Sequence, residues 1–241
     1  MEKSNKKVAG SYGLTGNGSK IVDIRKLLLD LEMRRYRNGL QRLGESFHAA
    51  SKPFLQDIAI IEKEFRDLEE AISRGERTWE IIDEDGMDCG YESDHLLAMI
   101  SDAEENLMLL RKAFLVLIYH HWERSAQVWL EDLPKKPNHE RIVTALRKRG
   151  FFIPPQLDKL RMIANTIKHN SKCAEELYRS NPEYFSSDAN FTKRTTLEGK
   201  MVSKDPDDID WEGNMHLTNE NLDYFIKVVL ECALPAPSSA S

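Results

Sequence analysis

The stretch LLAMISDAEENLMLLRKAFLVLIYHHWER, residues 96–124, decides the fold. Leu96, Ile100, Ala103, Leu107, Leu110, Phe114 and Leu117 recur at alternating steps of four and three, which is the period of one helix face. The segment therefore reads as a long helix with a seam for partner helices. From Ala113 to Ile118 it is apolar on every side, which predicts a central position. The next seam position is His121, and a polar ring entering a core seam needs a partner or a water. This helix is expected to end near Leu133-Pro134.

Upstream, helical periodicity runs through Ile21, Ile24, Leu28, Leu31, Tyr36, Leu40, Leu43 and Phe47. Ser51-Lys52-Pro53 reads as an N-cap with proline in the first turn of a second helix. That helix carries Ile58, Ile61, Phe65, Leu68 and Ile72 on one face and stops at Gly75. The pair predicts a long antiparallel helical hairpin, followed by an exposed Asp- and Gly-rich connection over Arg77–Glu92. Residues 1–19, rich in Gly, Ser, Asn and Lys, read as disordered. Gly16-Asn17-Gly18 has no preceding strand and no Lys-Ser/Thr at P-loop spacing, so it is not a phosphate loop.

Downstream, a short basic helix over Asn138–Lys148 is stopped by Gly150, and Pro154-Pro155 opens a helix over Pro155–Asn170. Segments 172–180 and 218–233 read as further short helices, the last capped by Thr218. Residues 191–202 suggest a small β-hairpin around Glu198-Gly199. Asp205-Pro-Asp-Asp-Ile-Asp reads as a solvated acidic loop that matches no EF-hand spacing. The expected fold is all-α, a helical bundle. It divides into a disordered N-terminus (1–19), a helical hairpin and connection (20–92), the bundle (93–234) and a loose tail (235–241).

Three widely separated cysteines, Cys89, Cys173 and Cys232, show neither a disulfide framework nor metal-ligand spacing. With no apolar stretch at the N-terminus, and a longest apolar run (Ala113–Tyr119) too short to cross a bilayer, the expected location is the cytoplasm, away from membranes. Adjacent histidines His120 and His121 point about 100° apart on a helix and do not make a two-ligand metal pair. No metal and no cofactor are expected.

The net charge of −6 hides an uneven distribution. Between Lys135 and Lys172 ten basic residues stand against Glu140 and Asp158, a local charge of +8. Such an island can draw a polyanion to one place while the remainder repels it, and Arg141, Arg147, Lys148, Arg149 and Lys172 are the candidate nucleic-acid contacts. Packing of acidic helices against the strip is the competing reading.

Placed at about 100° per residue, Pro155–Asn170 separates into two faces. Leu157, Leu160, Ile163, Ala164 and Ile167 form a core side. Arg161, Asn165, Lys168 and His169 form a polar stripe, joined by Lys172 if the helix reaches it. Arg161, Asn165 and His169 fall at i, i+4, i+8 and lie in a row. A group that titrates near neutral pH, an amide to orient it and two permanent cations are parts for handling a phosphodiester. Taken alone, a histidine near a helix C-terminus is usually a favourable match to the helix dipole.

Asn165-Thr-Ile-Lys-His169 on the last long helix, preceded by Tyr119-His-His-Trp-Glu123 on an earlier one, resembles the higher-eukaryote and prokaryote nucleotide-binding (HEPN) superfamily, in particular its bacterial defence and toxin branches. The resemblance covers about residues 95–180 and, more weakly, 218–233. It implies a helical bundle that dimerises so that an R-x4–6-H motif from each protomer meets in a cleft and cuts RNA without metal. His169 would then move the proton at the 2′-hydroxyl or the leaving 5′-oxygen, and Asn165 would match the polar residue after the motif arginine. The motif arginine falls at Ala164; Arg161 stands one turn earlier, so Arg161, Lys168 or a partner's arginine would supply the charge. Glu123 would pair with Lys168 or His169, or else be a surface carboxylate beside Arg124. The implied partners are a second copy, RNA as substrate, and a cognate antitoxin or other defence component. A non-catalytic module that binds nucleic acid, nucleotide or a protein is the alternative.

Overall fold

A computed structural model describes residues 24–82, 84–85, 87–130, 137–169, 173–186, 194–195, 201–202 and 209–233. Six α-helices dominate the described residues: α1 (Ile24–Ser73), α2 (Glu92–Trp129), α3 (His139–Lys148), α4 (Gln156–His169), α5 (Cys173–Ser180) and α6 (Asn219–Glu231). Two small antiparallel hairpins accompany them, β1 (Glu80–Ile82) with β2 (Asp88–Tyr91) and β3 (Arg194–Thr195) with β4 (Met201–Val202). The chain is thus an all-α bundle with a long N-terminal helix and, within the expected segment, a small β-hairpin. The readings of 1–19 as disordered, of Asp205–Asp208 within the acidic loop and of 235–241 as a tail lie outside the described residues.

The expected N-terminal helical hairpin is instead one helix of 50 residues that passes through Pro53 without a break. Ser51 caps nothing; its hydroxyl donates back to the His48 carbonyl at 3.2 Å. Proline cannot donate to the Ala49 carbonyl, and a helix-interior proline costs about 3 kcal/mol. Burial on both sides of it outweighs that cost. Leu40 and Phe47 enter the main core before Pro53, and Ile61 and Leu68 enter a second, smaller core beyond it. Both stretches run along the same partner, α2. Ala49 itself is exposed, so water can take the place of the missing donor.

The second core makes a stalk: Ile61 and Leu68 of α1 meet Leu96 of α2, with Phe65, Ile72, Trp79 and Ile100 against them. The expected exposed connection closes its end as the β1–β2 hairpin, where Gly90 adopts φ 102°, a conformation that favours glycine. The Arg77 guanidinium reaches Glu92 across the base of that hairpin at 2.6 Å.

In the main core, α2 presents Leu115, Ile118, Tyr119, Trp122, Ala126 and Trp129 to α1, α3, α4 and α6. The expected seam drifts here. Leu96 and Leu107 are buried as predicted, but Leu117 is 47% exposed, and the buried face has moved round to Leu115 and Ile118. α2 ends at Trp129, short of Leu133-Pro134. Its His121 meets the predicted need for a partner: Nε2 lies 2.9 Å from the Tyr36 carbonyl and the ring stacks on Tyr36 at 5.2 Å. The Tyr36 hydroxyl donates to the Val229 carbonyl at 2.5 Å, so one tyrosine ties α1 to α2 and α6. Thr218 caps α6 in a reciprocal capping box with Asn221, and Gly150, at φ 83°, ends α3. Among the described residues no helix is long and apolar enough to cross a membrane.

Candidate functional site

α4 starts just after Pro154-Pro155 and carries Asp158 in its first turn, where a carboxylate suits the positive end of the helix dipole. Leu157, Leu160, Ile163 and Ala164 are buried as expected, and Ile167 packs partly buried against the core. Met162 and Thr166 are buried as well, the Thr166 hydroxyl donating back to the Met162 carbonyl at 2.9 Å. What packing leaves outward is Arg161 and Asn165, both half-buried, then Lys168 and His169, both exposed. Eight residues separate Arg161 from His169, about 12 Å along the axis. Among the described residues His169 has no hydrogen bond or ion pair.

Arg161 is not a free cation. Its Nε donates to Asp158 Oδ1 at 2.7 Å. Burial works to lower the guanidinium pKa, but the hydrogen bond and charge of Asp158 more than offset it. The same carboxylate oxygen lies 3.8 Å from His139 Nε2, and His139 Nδ1 lies 3.1 Å from the Tyr119 hydroxyl. A chain of groups therefore runs from buried Tyr119 on α2, through His139 at the start of α3, to Asp158 and Arg161 on α4. Burial chiefly, with the Arg161 cation adding and Asp158 opposing, pushes His139 down to about 4. The imidazole is therefore neutral at neutral pH. With Nδ1 accepting from the Tyr119 hydroxyl, the ring carries its proton on Nε2, on the side of the carboxylate but beyond hydrogen-bond distance of it. Burial raises the Tyr119 phenol well above its ordinary value, with Glu123 reinforcing the shift, so it stays protonated. Lys168 Nζ stands 6.0 Å from the Tyr119 ring centroid, at the outer reach of a cation–π contact.

Glu123 sits on a different partner from the two expected. Its Oε2 lies 3.1 Å from His120 Nδ1 one turn back on α2, and it pairs with neither Lys168 nor His169. In the basic strip, Arg141, Arg147, Lys148 and Arg149 are all exposed on α3 or its C-cap. Two of them also brace the fold: Arg149 donates to the Trp129 carbonyl and Arg147 to the Ile153 carbonyl. Lys172 lies outside the described residues. Among those residues no three His, Cys, Asp or Glu side chains cluster as a metal site would need.

The structure thus brings Arg161, Asn165, Lys168 and His169 onto one face, sets exposed Asp158 beside Arg161, and adds Tyr119 and His139 behind them. The Asp158–Arg161 pair has ordinary i, i+3 helix spacing and could have been read from the sequence. Nothing local links Tyr119 to His139. Comparisons with protein-family models, curated proteins and solved structures find no match to this chain.

Proposed function

We propose that this protein is a metal-independent endoribonuclease of the HEPN type, acting as a homodimer in a bacterial toxin or anti-phage defence system. The observation that carries this reading is the exposed His169 at the end of α4, beside Lys168 and in one row with Asn165 and Arg161. An imidazole with no partner among the described residues, next to a permanent cation, can move a proton where a phosphate gains charge. In the reaction the ribose 2′-oxygen attacks the adjacent phosphorus and gives up its proton to a base. The bond to the 5′-oxygen breaks and that oxygen takes up a proton, leaving a 2′,3′-cyclic phosphate and a 5′-hydroxyl. His169 of each protomer serves one of the two proton transfers. Lys168 or Arg161 stabilises the charge that develops on the phosphate, and Asn165 steadies the ring or the phosphate.

One observation favours a second reading, a module that binds RNA, nucleotide or a protein and cuts nothing. Ala164, where the resemblance puts the motif arginine, is fully buried, and Arg161 is already held by Asp158. Incubation with total RNA and a tRNA pool in EDTA separates the two, beside His169→Ala and Arg161→Ala. Cyclic-phosphate ends that vanish in His169→Ala support the nuclease. Salt-dependent RNA binding without products supports the second reading, and neither cleavage nor binding refutes the nuclease and the RNA-binding form of the second reading.

A further inference from the structure

Two surfaces of the long helix α1 are unfinished, and they complement each other. At its N-terminal end Leu27, Leu28, Leu29 and Leu31 are 58%, 55%, 41% and 45% exposed. Leu27, Leu28, Leu31, Arg34 and Arg35 fall at i, i+1, i+4, i+7 and i+8, one stripe that is leucine-rich and then cationic. Over residues 27–42 four arginines face only Asp30 and Glu32.

The stalk is the reverse. Residues 54–73 and 92–106 carry eleven carboxylates against Lys63 and Arg66. Between the two stalk helices runs a groove of about 440 Å³ with Ile60, Ile61 and Met99 in its floor and Asp57, Glu64 and Asp102 on its rim. Ile60 is 56% exposed and Met99 40%, so this apolar floor is open to solvent.

Both surfaces belong to one unbroken helix of 50 residues. Leu28 and Ile60 are 32 positions apart, about 48 Å, so a single chain cannot bring them together. Two copies with antiparallel α1 helices can. Each leucine end then lies in the partner's groove with Arg34 and Arg35 against the acidic rim, and the same contact forms twice about a two-fold axis. We propose that the stalk groove receives the Leu27–Arg35 end of α1 from a second copy of this chain. This contact is separate from the α4 face and stands whether or not that face handles RNA.

A charge exchange tests it without an RNA readout. One variant carries Arg34→Glu and Arg35→Glu, the other Asp57→Lys and Glu64→Lys; all four residues are exposed, and circular dichroism confirms that both variants fold. Sedimentation velocity is expected to show each variant alone at half the wild-type mass, because both of its contacts now repel. An equimolar mixture is expected to regain the wild-type mass, since each mixed pair has two attractive contacts. A wild-type protein that stays monomeric overturns the proposal, as does a variant mass equal to wild type. A mixture that fails to regain the lost mass overturns it as well, and the groove is then left to a different protein.

Discussion

Gly39→Ala should destabilise this protein even though alanine is the better helix former. Gly39 lies inside α1 where the His121 ring of α2 crosses it. A Cβ there would sit 2.4 Å from His121 Cε1 and 2.9 Å from Nε2. Ordinary carbon contacts are about 3.5–4.0 Å, so the approach is roughly 1 Å too close. The ring is not free to swing away, since it is hydrogen-bonded to the Tyr36 carbonyl and stacked on the Tyr36 ring at an interplanar angle of 9°. Overpacking costs about 1–3 kcal/mol and loss of the hydrogen bond about 1 kcal/mol, against a gain of about 1 kcal/mol in helix propensity. The net expectation is a loss of about 1–3 kcal/mol. In a His121→Ala background the obstruction is gone, and the same Gly39→Ala change should stabilise by about 1 kcal/mol. Urea unfolding of the four proteins, followed by far-UV circular dichroism, measures the reversal. Stabilisation by Gly39→Ala in the wild-type background would falsify the packing described for His121.

Other changes read other parts of the structure. His139 is held near 4, below its unfolded value of about 6.5, so the folded state binds fewer protons between those values. Stability should be full above pH 6.5 and fall by up to about 3 kcal/mol as pH drops toward 4. His139→Gln should flatten that slope, and an unaltered slope would count against the Tyr119–His139–Asp158 arrangement. Lys112 is buried on α2 and donates to both the Glu212 carboxylate at 2.7 Å and the Glu212 carbonyl at 2.8 Å. Glu212→Ala should therefore destabilise more than Lys112→Met, because only the former leaves a buried ammonium without its counter-charge, held by the backbone carbonyl alone; equal losses in thermal unfolding would contradict this. Thr218→Ala removes one half of the α6 capping box and should cost about 1 kcal/mol, whereas no loss would mean that the Thr218 hydroxyl adds nothing to the hold of Asn221 and packing on the end of α6.

What was legible in the sequence was mostly local. Thr218 and Gly150 act within a few residues of themselves, and both helix ends fall where expected. The need of His121 for a partner followed from its place in the α2 seam, although the identity of that partner, a backbone carbonyl 85 residues away, did not. Periodicity was weaker evidence for burial. It shows that a face is apolar, not that anything covers it, and Leu28, Leu31 and Leu117 keep the period while facing solvent. Pro53 was misread for the opposite reason. Its local signal is strong, but α2 runs along α1 on both sides of it, and that shared burial is invisible in a window of a few residues. The β1–β2 strands hide in a connection whose Asp and Gly content reads as loop.

The candidate site repeats this division on one helix. The outward row Arg161, Asn165, Lys168 and His169 follows from the helical period, because the core takes Leu157, Leu160, Ile163 and Ala164 and leaves the opposite side free. The same constraint explains why no arginine stands at 164. That position lies at 0% exposure among core side chains, where a guanidinium would be stranded without water. A cation meant for the outer face has to come from another turn, and Arg161 and Lys168 are the ones that packing permits. Arg161 is then held by Asp158 one turn earlier, and behind Asp158 stand groups that no spacing rule connects to it. His139 looks like the first residue of a basic surface helix, yet Tyr119 and Trp122 of α2 bury it, and burial keeps it neutral and turned toward Asp158. The charges at the foot of the row, Asp158 and Arg161, both stand on α4, and α2 and α3 back them with neutral groups. A substitution at His139 reaches Arg161 through Asp158, and one at Tyr119 touches Lys168 as well, whereas His169 at the far end answers to solvent and to whatever binds there.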